Sequence, residues 1–147
     1  MTDEPILPEA KLSEARPAPE GWVLQSHPQT FSGHAGPFYF REEGGPPGVG
    51  FFSEQHHANL ARIVHGGALM TLADMALFDI FFRANGRVPA LTMTMNAEFL
   101  SPAPLGEFIT ATGEVMKAGR TTAFVRGVVS AKEKPVLSFS GVLKRLS

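Results

Sequence analysis

The sequence predicts an α+β fold in which an antiparallel β-sheet curls around one long buried helix. Three observations carry this. Residues 66–84 are the one long run of helix formers, with apolar side chains on nearly every face. After Pro89 the chain reads as β-type runs separated by turn signals. No helical stretch lies between those later runs to make parallel crossovers, so the strands must pair antiparallel.

The elements follow in order. Eight of the twelve prolines fall in the first 47 residues, which excludes long helices there. Residues 1–35 are expected to be an irregular N-terminal extension with at most a short helix near Glu9 to Ala15, and residues 36–147 a single domain. "GPFYFREE" (36–43) and "VGFFSEQ" (49–55) offer two short strands either side of "GGPPG". The helix begins at Gly66, contains Leu69, Met70, Leu72, Ala73, Met75, Ala76, Leu77, Ile80 and Phe81, and is ended by "NGR" and Pro89. "ALTMTMNAEFL" alternates, with Leu91, Met93, Met95, Ala97 and Phe99 assigned to one face and Thr92, Thr94, Asn96 and Glu98 to the other. "SPAPLG" turns the chain into "EFITATGEVMK", which pairs across "AGR" with "TTAFVRGVVSAK", and "PVLSFSGVLKRL" is the last strand.

Composition removes several classes of function. A formal charge of -1, without a run of Lys or Arg, gives no electrostatic basis for nucleic-acid or membrane-surface binding. There is no cysteine, hence no disulfide, thiolate metal site or cysteine nucleophile. The acidic, proline-rich start is unlike a secretory signal, and a cytoplasmic protein is expected. Residues 63–82 are long enough to span a membrane, but an aspartate near the centre costs roughly 2.5–3.5 kcal/mol and this stretch holds Asp74 and Asp79, so no span is expected. Nucleotide-binding glycine loops, the G-x-S-x-G elbow and H-E-x-x-H are all absent. His56, His57 and His65 could supply metal ligands, yet neighbours on a strand point to opposite faces, so neither a metal nor a cofactor is expected.

What remains is the segment "IVHGGALMTLAD". A helix beginning at Gly66-Gly67 presents unpaired N–H groups and a positive dipole end, with no side chain to keep a ligand off the backbone, which suits an oxyanion. Asp74 lies eight residues on, about 12 Å along the axis and roughly 80° around, so the two do not serve one atom within one chain. A reading without chemistry is also open: His65 as an ordered core residue, the glycines as a tight start to the helix, Asp74 as a buried hydrogen-bonded carboxylate. Asp79 is expected to be exposed near the helix end, without a chemical role.

The run from Asn59 to Asp74, "NLARIVHGGALMTLAD", followed by "TMTMNAEFLSPA" from Thr92, resembles the hotdog-fold thioesterases of the PaaI-like (phenylacetic acid degradation) family. The likeness extends over residues 59–141, including the Pro102 and Gly106 turn and the "KAGRTT" hairpin. The resemblance implies acyl-CoA thioester hydrolysis in a homodimer that shares its active sites and commonly pairs into a tetramer. It implies Asn59, His65 and Gly66 from one subunit, with Asp74 and Thr92 from the other. Asp74 would act as general base or nucleophile, the Gly66 N–H would bind the oxyanion, Thr92 would hold the water, and Asn59 and His65 would orient the thioester. Serine occurs in the family where Thr92 stands. Gly67, Met70, Phe78 and Met95 are expected at the acyl group, and Arg62, Lys117 and Arg120 at the coenzyme A phosphates. Two alternatives remain, a non-catalytic acyl-CoA-binding hotdog protein and a hotdog hydratase or dehydratase.

Overall fold

The computed structural model describes residues 15–25 and 27–146. Its elements are β1 (Trp22–Gln25), α1 (Phe31–Ala35), β2 (Phe38–Arg41), β3 (Gly48–Phe52), α2 (Gly66–Asn85), β4 (Ala90–Phe99), β5 (Phe108–Ala118), β6 (Thr122–Ala131) and β7 (Lys134–Arg145). The seven strands make one sheet in the order β1-β2-β3-β5-β6-β7-β4, every neighbouring pair antiparallel. No helix among the described residues is long and apolar enough to cross a membrane.

Helix α2 is held by one apolar face. Leu69, Leu72, Leu77, Ile80 and Phe81 are buried with Ala73 and Ala76. Against them pack Val49, Phe51, Ile109, Val125, Val129, Leu137, Phe139 and Leu143 from the inner side of the sheet. At about 2 kcal/mol per large side chain, this face contributes on the order of 10 kcal/mol of gross burial. That suffices to fix the helix while its opposite side carries polar groups. Close approach has a backbone condition: a Cβ on Gly141 of β7 would meet Leu77 Cδ1 at 2.4 Å, so any other residue there would displace Leu77.

Two expectations are revised. The sequence pattern places no strand before Gly36, whereas β1 pairs along all four of its residues with β2, Trp22 opposite Arg41 and Gln25 opposite Phe38. Four residues are too few for a periodicity to show. The short helix expected near Glu9 lies outside the described residues. The second revision concerns β4. Its ladder with β7 shifts between Thr92 and Thr94, leaving Met93 as the extra residue of a β-bulge. Downstream of the bulge Met95 and Ala97 pack against the core as expected; upstream Ala90 does so, and Leu91 and Met93 are 44% and 52% exposed. The bulge thereby turns Thr92 inward, toward α2.

Candidate active site

Helix α2 opens with His65 as its N-cap, at φ -61 and ψ 137. The imidazole Nδ1 accepts from the Gly67 N–H at 2.8 Å, and the His65 carbonyl accepts from Ala68 and Leu69. His65 is itself pinned by its N–H donating to the His57 carbonyl at 2.7 Å. The Gly66 N–H is left without an acceptor among the described residues. With Nδ1 accepting, the proton of the neutral His65 ring sits on Nε2, facing away from the helix backbone. An added side chain is tight at both glycines: a Cβ on Gly67 would stand 3.0 Å from His65 Nδ1, and one on Gly66 would stand 3.1 Å from the Phe99 ring. Phe99 therefore lies over the helix entrance, a placement set by sheet register that no local sequence signal announces.

The loop before the helix is organised by Asn59. Its Oδ1 accepts from the Ala61 N–H at 2.9 Å and the Ile63 N–H at 3.3 Å, and its backbone closes the turn with Ile63 and Arg62. Only the Asn59 amide NH2 is left for a ligand. Arg62 is exposed and takes φ 61 in this turn, and Leu60 beside it is wholly exposed.

Asp74 is half-buried, and its Oδ1 accepts from Thr92 Oγ1 at 2.8 Å. This bond exists because the β4 bulge turns Thr92 inward. Asp74 Oδ2 has no hydrogen-bond partner among the described residues. Met70 and Phe78, one turn either side of Asp74, and Met95 on β4 are half-buried against the core. Asp74 and Thr92 are thus together, His65, Gly66, Gly67 and Asn59 are together, and about 12 Å of helix separates the two groups within the chain. Lys117 and Arg120 stand away from the helix entrance. They sit by the β5–β6 hairpin, where Thr122 is opposite Lys144, whereas Phe99 and the helix entrance lie opposite Leu137. Seven residues of strand put these ends on the order of 23 Å apart.

Asp79 departs from expectation. Its side chain is 10% exposed, Oδ1 is 3.5 Å from Arg83 Nε, and Oδ2 is buried without a hydrogen-bond partner. Burial raises its pKa above the ordinary carboxylate value, with Arg83 pulling the other way. The cause is the end of β2, which closes over this part of α2 through Arg83 donating to the Arg41 carbonyl at 2.6 Å and pairing with Glu42 at 3.6 Å.

His56 and His57 also differ from the opposite-face expectation. They lie on a 3-10 turn, Gln55–His57, with ring centroids 3.8 Å apart. His57 is buried, which pushes its pKa down to about 4, with His56 adding to the effect. The ring is therefore neutral near pH 7. Its Nδ1 accepts from the Glu54 N–H, so Nε2 carries the proton and donates to the Ala35 carbonyl at 2.6 Å. His56 Nε2 reaches the Gly36 carbonyl at 2.7 Å. Both imidazoles hold the end of α1, and no group of three or more metal-ligating side chains occurs among the described residues.

Two depressions flank His65. One, of about 360 Å³, lies between α1 and the first two turns of α2, and the other lies beside Asn59 and Leu60.

Comparisons with known proteins bear on the family. A family model described as the thioesterase superfamily matches residues 61–138. Human acyl-coenzyme A thioesterase 13 is 37% identical over 71 residues, 48% of this chain and 51% of that one, so the chain spans about half the length of this curated relative. A Pseudomonas aeruginosa protein provisionally named an esterase is 30% identical over 109 residues, 73% of this chain and 81% of that one. Among solved structures, a variant of the phenylacetic acid degradation protein PaaI from Thermus thermophilus superposes with a TM-score of 0.69 at 25% identity, covering 79% of this chain and 98% of that one.

Proposed function

Because this chain belongs to the thioesterase superfamily, in its PaaI-like hotdog branch, we propose that it hydrolyses acyl-CoA thioesters in active sites shared between two copies. The observation that carries this is the separation just described. An unpaired N–H at the helix entrance and a carboxylate positioned by Thr92 are the two halves of a thioester hydrolysis site, and one chain holds them about 12 Å apart.

A second copy resolves the separation. Strand β4 is an edge of the sheet, ten residues long, with Leu91, Met93 and Phe99 exposed along it. An edge of that length and character is a surface for pairing. Two-fold antiparallel pairing of β4 with its copy carries the start of each α2 toward the Asp74 region of the other. The same operation puts the partner's Lys117 and Arg120 at the end of the sheet where this chain's helix begins, in reach of the phosphates of coenzyme A together with Arg62.

In the shared site the thioester carbonyl accepts from the Gly66 N–H. The partner's Asp74 takes a proton from water through Oδ2, while Thr92 Oγ1 fixes Oδ1 and so fixes which oxygen faces the water. The water oxygen adds to the carbonyl carbon and the resulting oxyanion is held by Gly66. Collapse breaks the carbon–sulfur bond and expels the thiolate, which recovers the proton from the Asp74 carboxyl. His65 Nε2–H and the Asn59 amide NH2 line the approach and orient the thioester. Coenzyme A as the leaving group rests on the name of the human relative.

The test is thiol release from acetyl-, octanoyl-, phenylacetyl- and palmitoyl-CoA. Turnover of at least one of them is expected. Acyl-CoA binding without thiol release would overturn the hydrolase reading in favour of a binding protein.

A further inference from the structure

We propose that the acyl group is bound in the depression between α1 and the first turns of α2, and that this depression selects compact apolar acyl groups of medium length or with a single ring. The inference rests on the thioester carbonyl sitting at Gly66. Its observations are the shape of the depression and the hydrogen-bond state of its walls.

The depression runs from His65 and Gly67 past Ala68 and Thr71 and is roofed by Phe31 and His34 of α1. It starts where the carbonyl would sit. Several lining residues are polar by name but have their donors occupied. Thr71 Oγ1 donates to the Gly67 carbonyl at 2.9 Å, and His57 Nε2 to the Ala35 carbonyl. His56 Nε2 is held on the Gly36 carbonyl, and His65 Nδ1 accepts from Gly67. The free ring nitrogens are then His34 at the rim, His65 Nε2 at the carbonyl end and His56 Nδ1, which faces Glu54 at 3.8 Å, while the Thr71 oxygen can still accept. A polar acyl group would exchange its hydration for walls that offer few partners, whereas an apolar one meets Phe38, Phe51, Ala35 and Ala68. The volume of about 360 Å³ equals roughly a dozen water-sized groups at ~30 Å³ each. An octanoyl or phenylacetyl group fills it, and a palmitoyl chain would extend beyond it.

This location differs from the one expected from sequence, where Met70, Phe78 and Met95 line the acyl site. None of those three borders the depression.

The test is the octanoyl-to-acetyl ratio of kcat/KM in wild type, in Thr71→Leu, which fills the depression, and in Phe31→Ala, which removes part of its roof. Phe31 is 74% exposed, so its truncation carries little folding cost and keeps the test usable if Thr71→Leu fails to fold. Both substitutions are expected to lower the ratio, Thr71→Leu by about 10-fold or more. Wild type should prefer octanoyl- and phenylacetyl-CoA to palmitoyl-CoA. The same ratio is read in calorimetric Kd values of octanoyl- and acetyl-CoA, which do not depend on turnover. If wild type binds octanoyl-CoA in a Thr71-dependent way without releasing thiol, the hydrolase reading fails and the acyl site stands. A ratio unmoved by both substitutions but shifted by Phe78→Leu places the acyl chain on the Asp74 side and overturns the inference.

Discussion

An Asp74→Asn protein should fold and assemble as the native chain does and lose about 10²- to 10⁴-fold in kcat, the range for removing a positioned general base. The substitution is close to isosteric. The amide oxygen still accepts from Thr92 Oγ1, now at 2.8 Å from Oδ1, and the residue lies outside the buried apolar face of α2, so neither helix packing nor β4 placement depends on its charge. What disappears is the second oxygen that takes the proton from water. The loss should fall on kcat with little change in KM, since the acyl group and coenzyme A are bound by other residues. Steady-state kinetics with a thiol reagent, alongside size-exclusion chromatography of both proteins, checks this. A variant retaining more than about a tenth of the native kcat would remove Asp74 from the chemistry and leave it a structural partner of Thr92.

Gly66→Pro is expected to cost about 10²- to 10³-fold in kcat, the effect of deleting one oxyanion donor. Proline deletes the N–H itself, and this is a position where a helix tolerates it. Gly66 is the first residue of α2, where the N–H has no helical acceptor in any case. The residue before a proline must be extended, and His65 already is, at φ -61 and ψ 137. The remaining obstacle is the Phe99 ring, 3.1 Å from an added Cβ. Gly66→Ala separates the two effects, because it crowds Phe99 equally and keeps the N–H. Gly66→Ala should therefore retain most of the rate that Gly66→Pro loses, measured on the same substrate with circular dichroism confirming the helix. Equal losses in the two variants would assign the effect to Phe99 rather than to the donor.

The legible parts of this protein are those written in short-range pattern. The span of α2 follows from its run of helix formers and the "NGR" stop, and β5 to β7 from alternation and turn residues, because those signals act within a few residues. Thr92 shows the limit. Strict alternation assigns it to the polar face with Thr94, and only the register of β4 on β7, a long-range property, exposes the bulge that turns it toward Asp74. Asp79 reads as solvent-exposed because its neighbours in sequence suggest a helix end, but the covering group arrives from β2, some forty residues earlier. Phe99 over Gly66 and α1 beside Thr71 are invisible in the sequence for the same reason. The candidate site residues are legible because glycine, histidine and aspartate are costly choices inside an apolar helix and demand an explanation. How two of its groups could meet is legible only through the family resemblance, which implies that they belong to different copies of the chain.

That division between copies is the central claim, and mixing the two variants tests it most directly. Asp74→Asn and Gly66→Pro proteins, each nearly inactive, are denatured together in equal amounts, refolded and assayed. If each site takes its oxyanion donor from one subunit and its base from the partner, every mixed dimer carries one site with both defects and one site with none. Random pairing then restores about a quarter of the native rate. A mixture no more active than the two variants assayed apart would mean that Gly66 and Asp74 serve the same site from the same chain, contradicting the shared-site mechanism.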